Sequence, residues 1–221
     1  MSNKPAKSRK ESIAGPVGRL ETIVDTPADG DVVGAVVVCH PHPQHGGTMH
    51  NKVAYTLARA FVRTGYAALR FNFRGTEGSE GEYDDGIGEL DDALAALQWM
   101  REEYKSGPLW LAGFSFGAAI AVRAAVVEPV DGLISVAPAV SRFAAGLEEQ
   151  PECPWLIVQG DEDELVGVEE TIEWINSLSP GPELVVLQGA EHFFHGRLVD
   201  LREIVTDFIQ KKGDSLLNDQ Y

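Results

Sequence analysis

One short segment constrains the fold of this chain more than any other: residues 113–117, with the sequence G-F-S-F-G. An apolar run over residues 108–112 precedes it and an alanine-rich run over residues 118–127 follows it, so a strand leads in and a helix leads out. A turn this tight needs glycine on both sides of the serine, because a Cβ atom there would collide with the strand or the helix. The pattern predicts a nucleophilic Ser115 above the end of a strand, with the Phe116 N–H at the helix N-terminus facing an oxyanion.

The rest of the chain from Val32 onwards alternates between apolar runs of strand length and helical patterns. Such alternation predicts the α/β class, a mostly parallel sheet with helices on both faces. The predicted strands are residues 18–25, 32–39, 66–73, 108–112, 132–137, 155–159 and 183–188, and the predicted helices follow Asn51 and cover residues 87–104, 118–127, 168–178 and 196–210. We expect one domain over residues 13–212, a disordered basic tail over residues 1–12 and a C-terminal tail over residues 213–221.

The charge of the chain is strongly unbalanced, with 34 acidic and 18 basic residues and a net charge of -16. This imbalance argues against partners such as nucleic acid or an anionic membrane surface. No apolar run reaches membrane-spanning length, and no secretory signal pattern begins the chain. Cys39 and Cys153 lie in or beside apolar runs, which predicts reduced buried thiols. We therefore expect a cytoplasmic protein with a small-molecule partner.

Two loops that follow predicted strands carry further candidate residues. Asp161 and Asp163 lie in the loop after the strand at residues 155–159, and His192 and His195 lie in the loop after the next strand. Active groups in this class of sheet lie beyond the carboxyl ends of the strands. The chain order of serine, acid and histidine is that of a catalytic triad with a nucleophile elbow. The residue pattern alone leaves open which aspartate and which histidine take part.

Four motifs together resemble those of the α/β-hydrolases. They are H-P-H-P at residues 40–43 with two glycines after it, the elbow around Ser115, G-D-E-D at residues 160–163, and His192 with two phenylalanines. Over nearly its whole length the chain resembles the small bacterial serine hydrolases without a cap domain, in the dienelactone-hydrolase-like esterase group. Dienelactone hydrolases proper carry a cysteine in place of Ser115, so the resemblance does not extend to their substrate.

A fifth and weaker match covers residues 72–79, which are similar to the D-x-R-G-x-G-x-S loop of the family. Asn72 replaces the aspartate of that loop and Glu77 replaces a glycine. We therefore predict a structural role for this loop and no catalytic one.

The resemblance implies a role for each residue of the site. Ser115 would be the nucleophile, His192 the general base and then the general acid, and Asp163 the residue that orients the imidazole. The oxyanion hole would consist of the backbone N–H groups of His42 and Phe116. The resemblance also implies a serine hydrolase that cleaves a small carboxylic ester or thioester through an acyl-enzyme, without a cofactor.

The space available for a cap domain is small, since only residues 139–153 separate two predicted strands. We therefore expect an open site that accepts short acyl groups, with aromatic substrate-pocket walls from Phe114, Phe116, Phe193 and Phe194.

Two other functions stay open at this point. His40, His42 and His45 have the ligand spacing of a metal-dependent hydrolase. Two prolines stiffen that loop, and Gln44 stands where such enzymes usually carry an aspartate, so we predict that the chain binds no metal. A non-catalytic binding protein on the same fold is the other possibility.

Overall fold

The computed structural model describes residues 6–143 and 149–218 of the chain. Its strands are β1 (Lys7–Gly15), β2 (Gly18–Thr26), β3 (Ala35–Cys39), β4 (Ala67–Phe71), β5 (Leu109–Phe114), β6 (Gly132–Val136), β7 (Trp155–Gly160) and β8 (Glu183–Leu187). Its helices are α1 (Lys52–Arg63), α2 (Ile87–Glu103), α3 (Phe116–Val127), α4 (Val140–Phe143), α5 (Val168–Asn176) and α6 (Leu198–Asn218), with a 3₁₀ turn at Pro43–His45.

Within the described residues the strands form a single sheet in the order β1-β2-β4-β3-β5-β6-β7-β8. The strands from β4 to β8 in this order are parallel, and β2 pairs antiparallel with both β1 and β4. This arrangement confirms the predicted α/β class with a mostly parallel sheet. The carboxyl ends of the parallel strands therefore lie along one edge, where the predicted site residues are found.

Neighbouring side chains of a strand point to opposite faces of the sheet. Because the central strands β3 and β5 are apolar at every position, both faces need to be covered, and helices pack on each of them. Trp110 of β5 packs against Phe61 of α1 and Phe208 of α6, with ring centroids 5.6 and 6.1 Å apart. Leu111, the next residue, belongs to the core on the other face, which α2, α3 and α5 cover. Both faces are thus dry, which explains why the central strands read as continuous apolar runs.

The N-terminus differs from the prediction. Residues 7–12 belong to β1, which pairs with β2 along its whole length and places Ile13 in the core. This edge strand carries charged side chains, such as Arg9, which pairs with Glu103 at 3.0 Å. Residues 7–12 therefore lack the apolar run from which a strand is predicted, and such charges are typical of protected sheet edges. The predicted disordered tail is therefore wrong for residues 7–12, and residues 1–5 lie outside the described residues.

The C-terminus differs as well, because α6 continues to Asn218 instead of ending near residue 210. The predicted tail is therefore helical up to that residue, and residues 219–221 lie outside the described part of the chain.

The described residues contain no helix that combines the length and the apolarity needed to span a bilayer. Cys39 is buried and Cys153 half-buried, both are free thiols, and burial raises the pKa of each.

Candidate active site

Ser115 lies in a strained turn between β5 and α3, with φ 55° and ψ -117°. Positive φ is costly for a residue with a side chain and is typical of a nucleophile elbow. The flanking glycines are sterically required. A Cβ on Gly113 would lie 2.3 Å from the Gly117 carbonyl oxygen, and one on Gly117 would lie 2.3 Å from the His40 carbonyl oxygen. The structure thus has the elbow geometry that the sequence predicts.

Three of the predicted residues come together at the carboxyl ends of the strands. The Nε2 atom of His192 lies 3.1 Å from the Oγ of Ser115, and its Nδ1 lies 2.8 Å from Oδ2 of Asp163. The His192 and Asp163 side chains are only 3% and 0% exposed. A buried carboxylate on Nδ1 leaves the other ring nitrogen available to accept the serine proton.

Hydrogen bonds from its own loop fix the carboxylate of Asp163. Its Oδ1 accepts the backbone N–H groups of Leu165 and Val166 at 2.9 and 2.7 Å. Burial alone would raise the pKa of Asp163, but the hydrogen bonds from His192 and from these two amides outweigh it and lower the pKa below its usual value. The group is therefore a carboxylate at neutral pH and accepts the N–H of the imidazole.

Gln159, which the sequence analysis missed, also contacts this carboxylate. Its side chain is fully buried at the end of β7, and its Nε2 donates to the Val166 carbonyl at 2.8 Å and to Oδ2 of Asp163 at 3.0 Å. A carbonyl can only accept, so the contact with Val166 identifies the amide nitrogen and fixes the side-chain orientation. The one polar residue in the apolar run at residues 155–159 was the available signal.

The competing candidates lie elsewhere. Asp161 accepts the Gly189 N–H at 2.6 Å and so ties together the loops after β7 and β8. His195 is exposed and pairs with Glu191 at 2.8 Å. Neither is in the chain of contacts that reaches Ser115.

The loop after β3 carries the predicted oxyanion donor. The His40 ring is fully buried and bridges two strand ends, because its Nδ1 contacts the Pro41 carbonyl at 2.6 Å and its Nε2 accepts the Phe73 N–H at 3.1 Å. Burial lowers the pKa of His40 to about 4, so the ring is neutral. Among the described residues, the backbone N–H groups of His42 and Phe116 donate to no other group.

The histidine spacing does not produce a metal cluster in the described part of the chain, where no three His, Cys, Asp or Glu side chains converge. Both ring nitrogens of His40 already have protein partners. His42 faces Tyr83, with its Nε2 3.2 Å from the tyrosine oxygen, and His45 stacks on it with ring centroids 4.4 Å apart.

The predicted aromatic pocket walls need correction. Phe114, Phe116 and Phe194 are fully buried. Phe114 belongs to a strand covered on both faces, Phe116 packs in the core on the side of α2 and α3, and Phe194 packs in the core beneath α6. Only Phe193 is exposed, at 38%. The partly exposed rings near Phe116 instead come from Tyr83 and Phe143, which the sequence analysis did not single out.

The loop at residues 72–79 has contacts that fit a structural role. The Asn72 side chain accepts the Met49 N–H at 2.8 Å and donates to Glu21 and Glu77 at 2.9 and 2.8 Å. Glu77 has a φ of 47°, which explains why the family motif prefers glycine at this position. Arg74 forms a buried ion pair with Asp92 at 2.8 Å, which fixes the start of the loop to α2.

Comparison with known proteins agrees with this architecture. Residues 17–151 match the family described as X-Pro dipeptidyl-peptidase (S15 family). An α/β serine hydrolase homologue from Coxiella burnetii has a TM-score of 0.85 and 45% sequence identity, covering 94% of this chain and 97% of its own. A serine hydrolase without a lid from Xanthomonas campestris has a TM-score of 0.88 and 39% identity, covering 94% and 96%. An uncharacterized protein of Rickettsia prowazekii is 33% identical over 205 residues, which is 88% of this chain and 86% of the relative.

Proposed function

Because the chain belongs to the α/β serine hydrolases without a lid and to the S15 family, we propose that it hydrolyses a small carboxylic ester or thioester through an acyl-enzyme on Ser115. The observation that carries this proposal is the continuous series of contacts from Asp163 through His192 to Ser115. All three side chains lie at the ends of strands or in the loops that follow them. The reaction needs no cofactor.

Each residue has a defined part in the proposed reaction. His192 Nε2 takes the proton of the Ser115 hydroxyl as the oxygen attacks the substrate carbonyl, and the N–H groups of His42 and Phe116 bind the oxyanion. His192 then gives that proton to the leaving alcohol or thiol, and an acyl-serine ester remains. A water molecule then attacks this ester. His192 takes a proton from the water and gives it to the Ser115 oxygen, which releases the acid and restores the serine.

The substrate size follows from the lack of an inserted domain. Between β6 and β7 the described residues form only α4 and short segments without regular secondary structure, too little to enclose a long acyl chain. We therefore expect kcat/KM to be highest for acetyl to butyryl esters and to decline by octanoyl.

The experiment is a substrate panel with the wild-type protein and Ser115→Ala. It contains p-nitrophenyl esters from acetyl to palmitoyl, short acyl-CoA thioesters, and a fluorophosphonate probe that labels active serines. We expect turnover and labelling with wild type only, and a kcat for Ser115→Ala that is lower by about 10⁴ to 10⁶. Ester turnover that persists in Ser115→Ala, or that occurs without labelling of wild type, would overturn the proposal.

The family match favours one further candidate, which is removal of an X-Pro dipeptide from a peptide N-terminus. The same triad would cleave the amide after proline, with the amine as the leaving group. An alanyl-prolyl p-nitroanilide added to the panel separates the two functions. A kcat/KM for this anilide above that of every ester would identify the peptidase, and its absence beside ester turnover would favour the esterase.

A further inference from the structure

Three partly exposed rings from three different loops meet beside the residue that follows Ser115. His42 comes from the loop after β3, Tyr83 from the loop after β4, and Phe143 from α4 after β6. Their ring centroids lie 5.0, 6.1 and 4.7 Å from that of Phe116. Since the backbone N–H of Phe116 is a proposed oxyanion donor, we expect these rings to border the position of the scissile carbonyl. We call His42, Tyr83 and Phe143 the aromatic wall.

Hydrogen bonds fix the orientation of the central ring in the aromatic wall. The Nδ1 atom of His42 accepts the backbone N–H of Gln44 at 3.3 Å. A backbone N–H can only donate, so Nδ1 carries no hydrogen and Nε2 carries it. That Nε2–H donates to the Tyr83 hydroxyl oxygen at 3.2 Å. The two rings are thereby held together at 5.1 Å between centroids, and the wall is present before any ligand binds.

The aromatic wall is uncharged at neutral pH. Burial lowers the pKa of His42 to about 4, and burial together with Asp85 raises the pKa of Tyr83. Within the described residues, the charged groups near the aromatic wall include Arg142, which lies over the Phe143 ring at 5.1 Å, and the acidic residues Asp85 and Glu89. An uncharged surface made of ring faces and ring edges suits a planar apolar group, which can stack on a face or contact an edge.

We propose that the aromatic wall binds a planar aromatic group of the substrate, so that the protein prefers esters with an aromatic ring close to the scissile bond. This inference rests on the proposed serine-hydrolase function and names a substrate class for it. An aromatic pair adds about 2- to 12-fold in affinity beyond the burial of the same area. Because the wall combines three rings, we expect about 10-fold preference over a saturated ring of similar size.

The test compares matched ester pairs that differ only in aromaticity. Benzyl acetate and cyclohexylmethyl acetate place the ring in the alcohol, and methyl phenylacetate and methyl cyclohexylacetate place it in the acyl group. Within each pair the leaving groups have similar basicity, so chemistry does not create the difference. We expect kcat/KM to favour the aromatic member of at least one pair by about 10-fold. Ratios near one in both pairs would overturn the inference while ester turnover itself supports the proposed function.

Variants locate the preference. Tyr83→Leu and Phe143→Leu keep an apolar side chain but remove a ring, and each should lower the aromatic-to-saturated ratio by about 3-fold or more. Tyr83→Phe restores the ring and should restore the ratio, which a role of the hydroxyl alone would not allow. Phe193→Leu removes the exposed ring next to His192, which the sequence predicted as a pocket wall, and it should lower the ratio less than Tyr83→Leu or Phe143→Leu does. A ratio that falls in Phe193→Leu and survives in Tyr83→Leu and Phe143→Leu would place the aromatic site on the other side and overturn the inference.

A different result would overturn the proposed function, independently of the aromatic preference. Loss of all Ser115-dependent turnover would overturn the serine-hydrolase proposal itself, whatever the ratios. Thermal unfolding of each variant, measured beside the kinetics, separates a lost ring contact from a lost fold.

Discussion

The two sides of Ser115 are built in opposite ways. On the acid side, the Asp163 carboxylate is fully buried and accepts hydrogen bonds from His192, Gln159 and two backbone amides. On the proposed oxyanion side, the His42 and Phe116 amides donate to no other group within the described residues, and the surrounding rings are partly exposed. Satisfied polar networks are rigid, while free amides and exposed rings are ready to contact a ligand. The difference suggests that the acid side sets geometry and the oxyanion side selects the substrate.

The largest effect on the acid side is expected from Asp163→Asn. The amide removes the negative charge and favours the wrong imidazole tautomer, so kcat should fall by about 10⁴ near neutral pH while KM changes little. Steady-state kinetics on a short p-nitrophenyl ester measure this, and urea unfolding shows whether the fold is kept.

Asp161→Asn is the matched control, since Asp161 contacts Gly189 and is outside the series that reaches Ser115. It should cost mainly stability, on the order of 1 kcal/mol for a weakened hydrogen bond between two loops. An inactive Asp161→Asn beside an active Asp163→Asn would move the acid two residues upstream and remove the basis of the comparison.

The sequence predicted the elements around Ser115 well because their signals are local. An apolar run, two glycines and an alanine-rich run specify β5, the elbow and α3 without help from distant residues. The parallel sheet followed in the same way from the alternation of strands and helices. β1 was missed because its polar residues gain their strand partners only from pairing with β2, which the pattern of residues 7–12 does not reveal.

The aromatic surroundings could not be predicted, for a related reason. Phe114 and Phe194 are close to Ser115 and His192 in sequence, but backbone direction turns both rings into the core. Tyr83 and Phe143 are distant in sequence and reach His42 only through the folding of separate loops. Sequence motifs identify residues that perform chemistry, whereas neighbours in space depend on the tertiary structure.

A smaller effect should follow when the support of Asp163 is removed. Gln159→Leu deletes the amide that donates to Asp163 and to the Val166 carbonyl, and leaves two buried acceptors short of a donor. We expect a loss of about 1 to 3 kcal/mol in the free energy of unfolding. We also expect kcat to be about 10-fold lower with KM unchanged, equal to about 1.4 kcal/mol in the barrier.

Thr171→Val separates these two effects. The Thr171 hydroxyl lies 3.3 Å from the side-chain oxygen of Gln159 and 3.2 Å from the Gly167 carbonyl oxygen, so its loss should reduce stability by about 1 kcal/mol and leave kcat nearly unchanged. Equal losses of kcat in Gln159→Leu and Thr171→Val would mean that Gln159 contributes only to stability. The backbone amides would then be the groups that fix the position of the Asp163 carboxylate.

The smallest effect is expected on the oxyanion side, from chelation and from His45→Ala. A metal ligand needs a free lone pair on a ring nitrogen, and the lone pair of His40 Nε2 accepts the Phe73 N–H while that of His42 Nδ1 accepts the Gln44 N–H. His45 is exposed, and it would have to bind a metal without His40 and His42 as further ligands. Ester turnover should therefore stay within about twofold after dialysis against EDTA and in His45→Ala, because single exposed ring contacts contribute little. Loss of activity on chelation, with recovery on added zinc, would instead make the oxyanion side a metal site, and its free amides would then have no part in selecting the substrate.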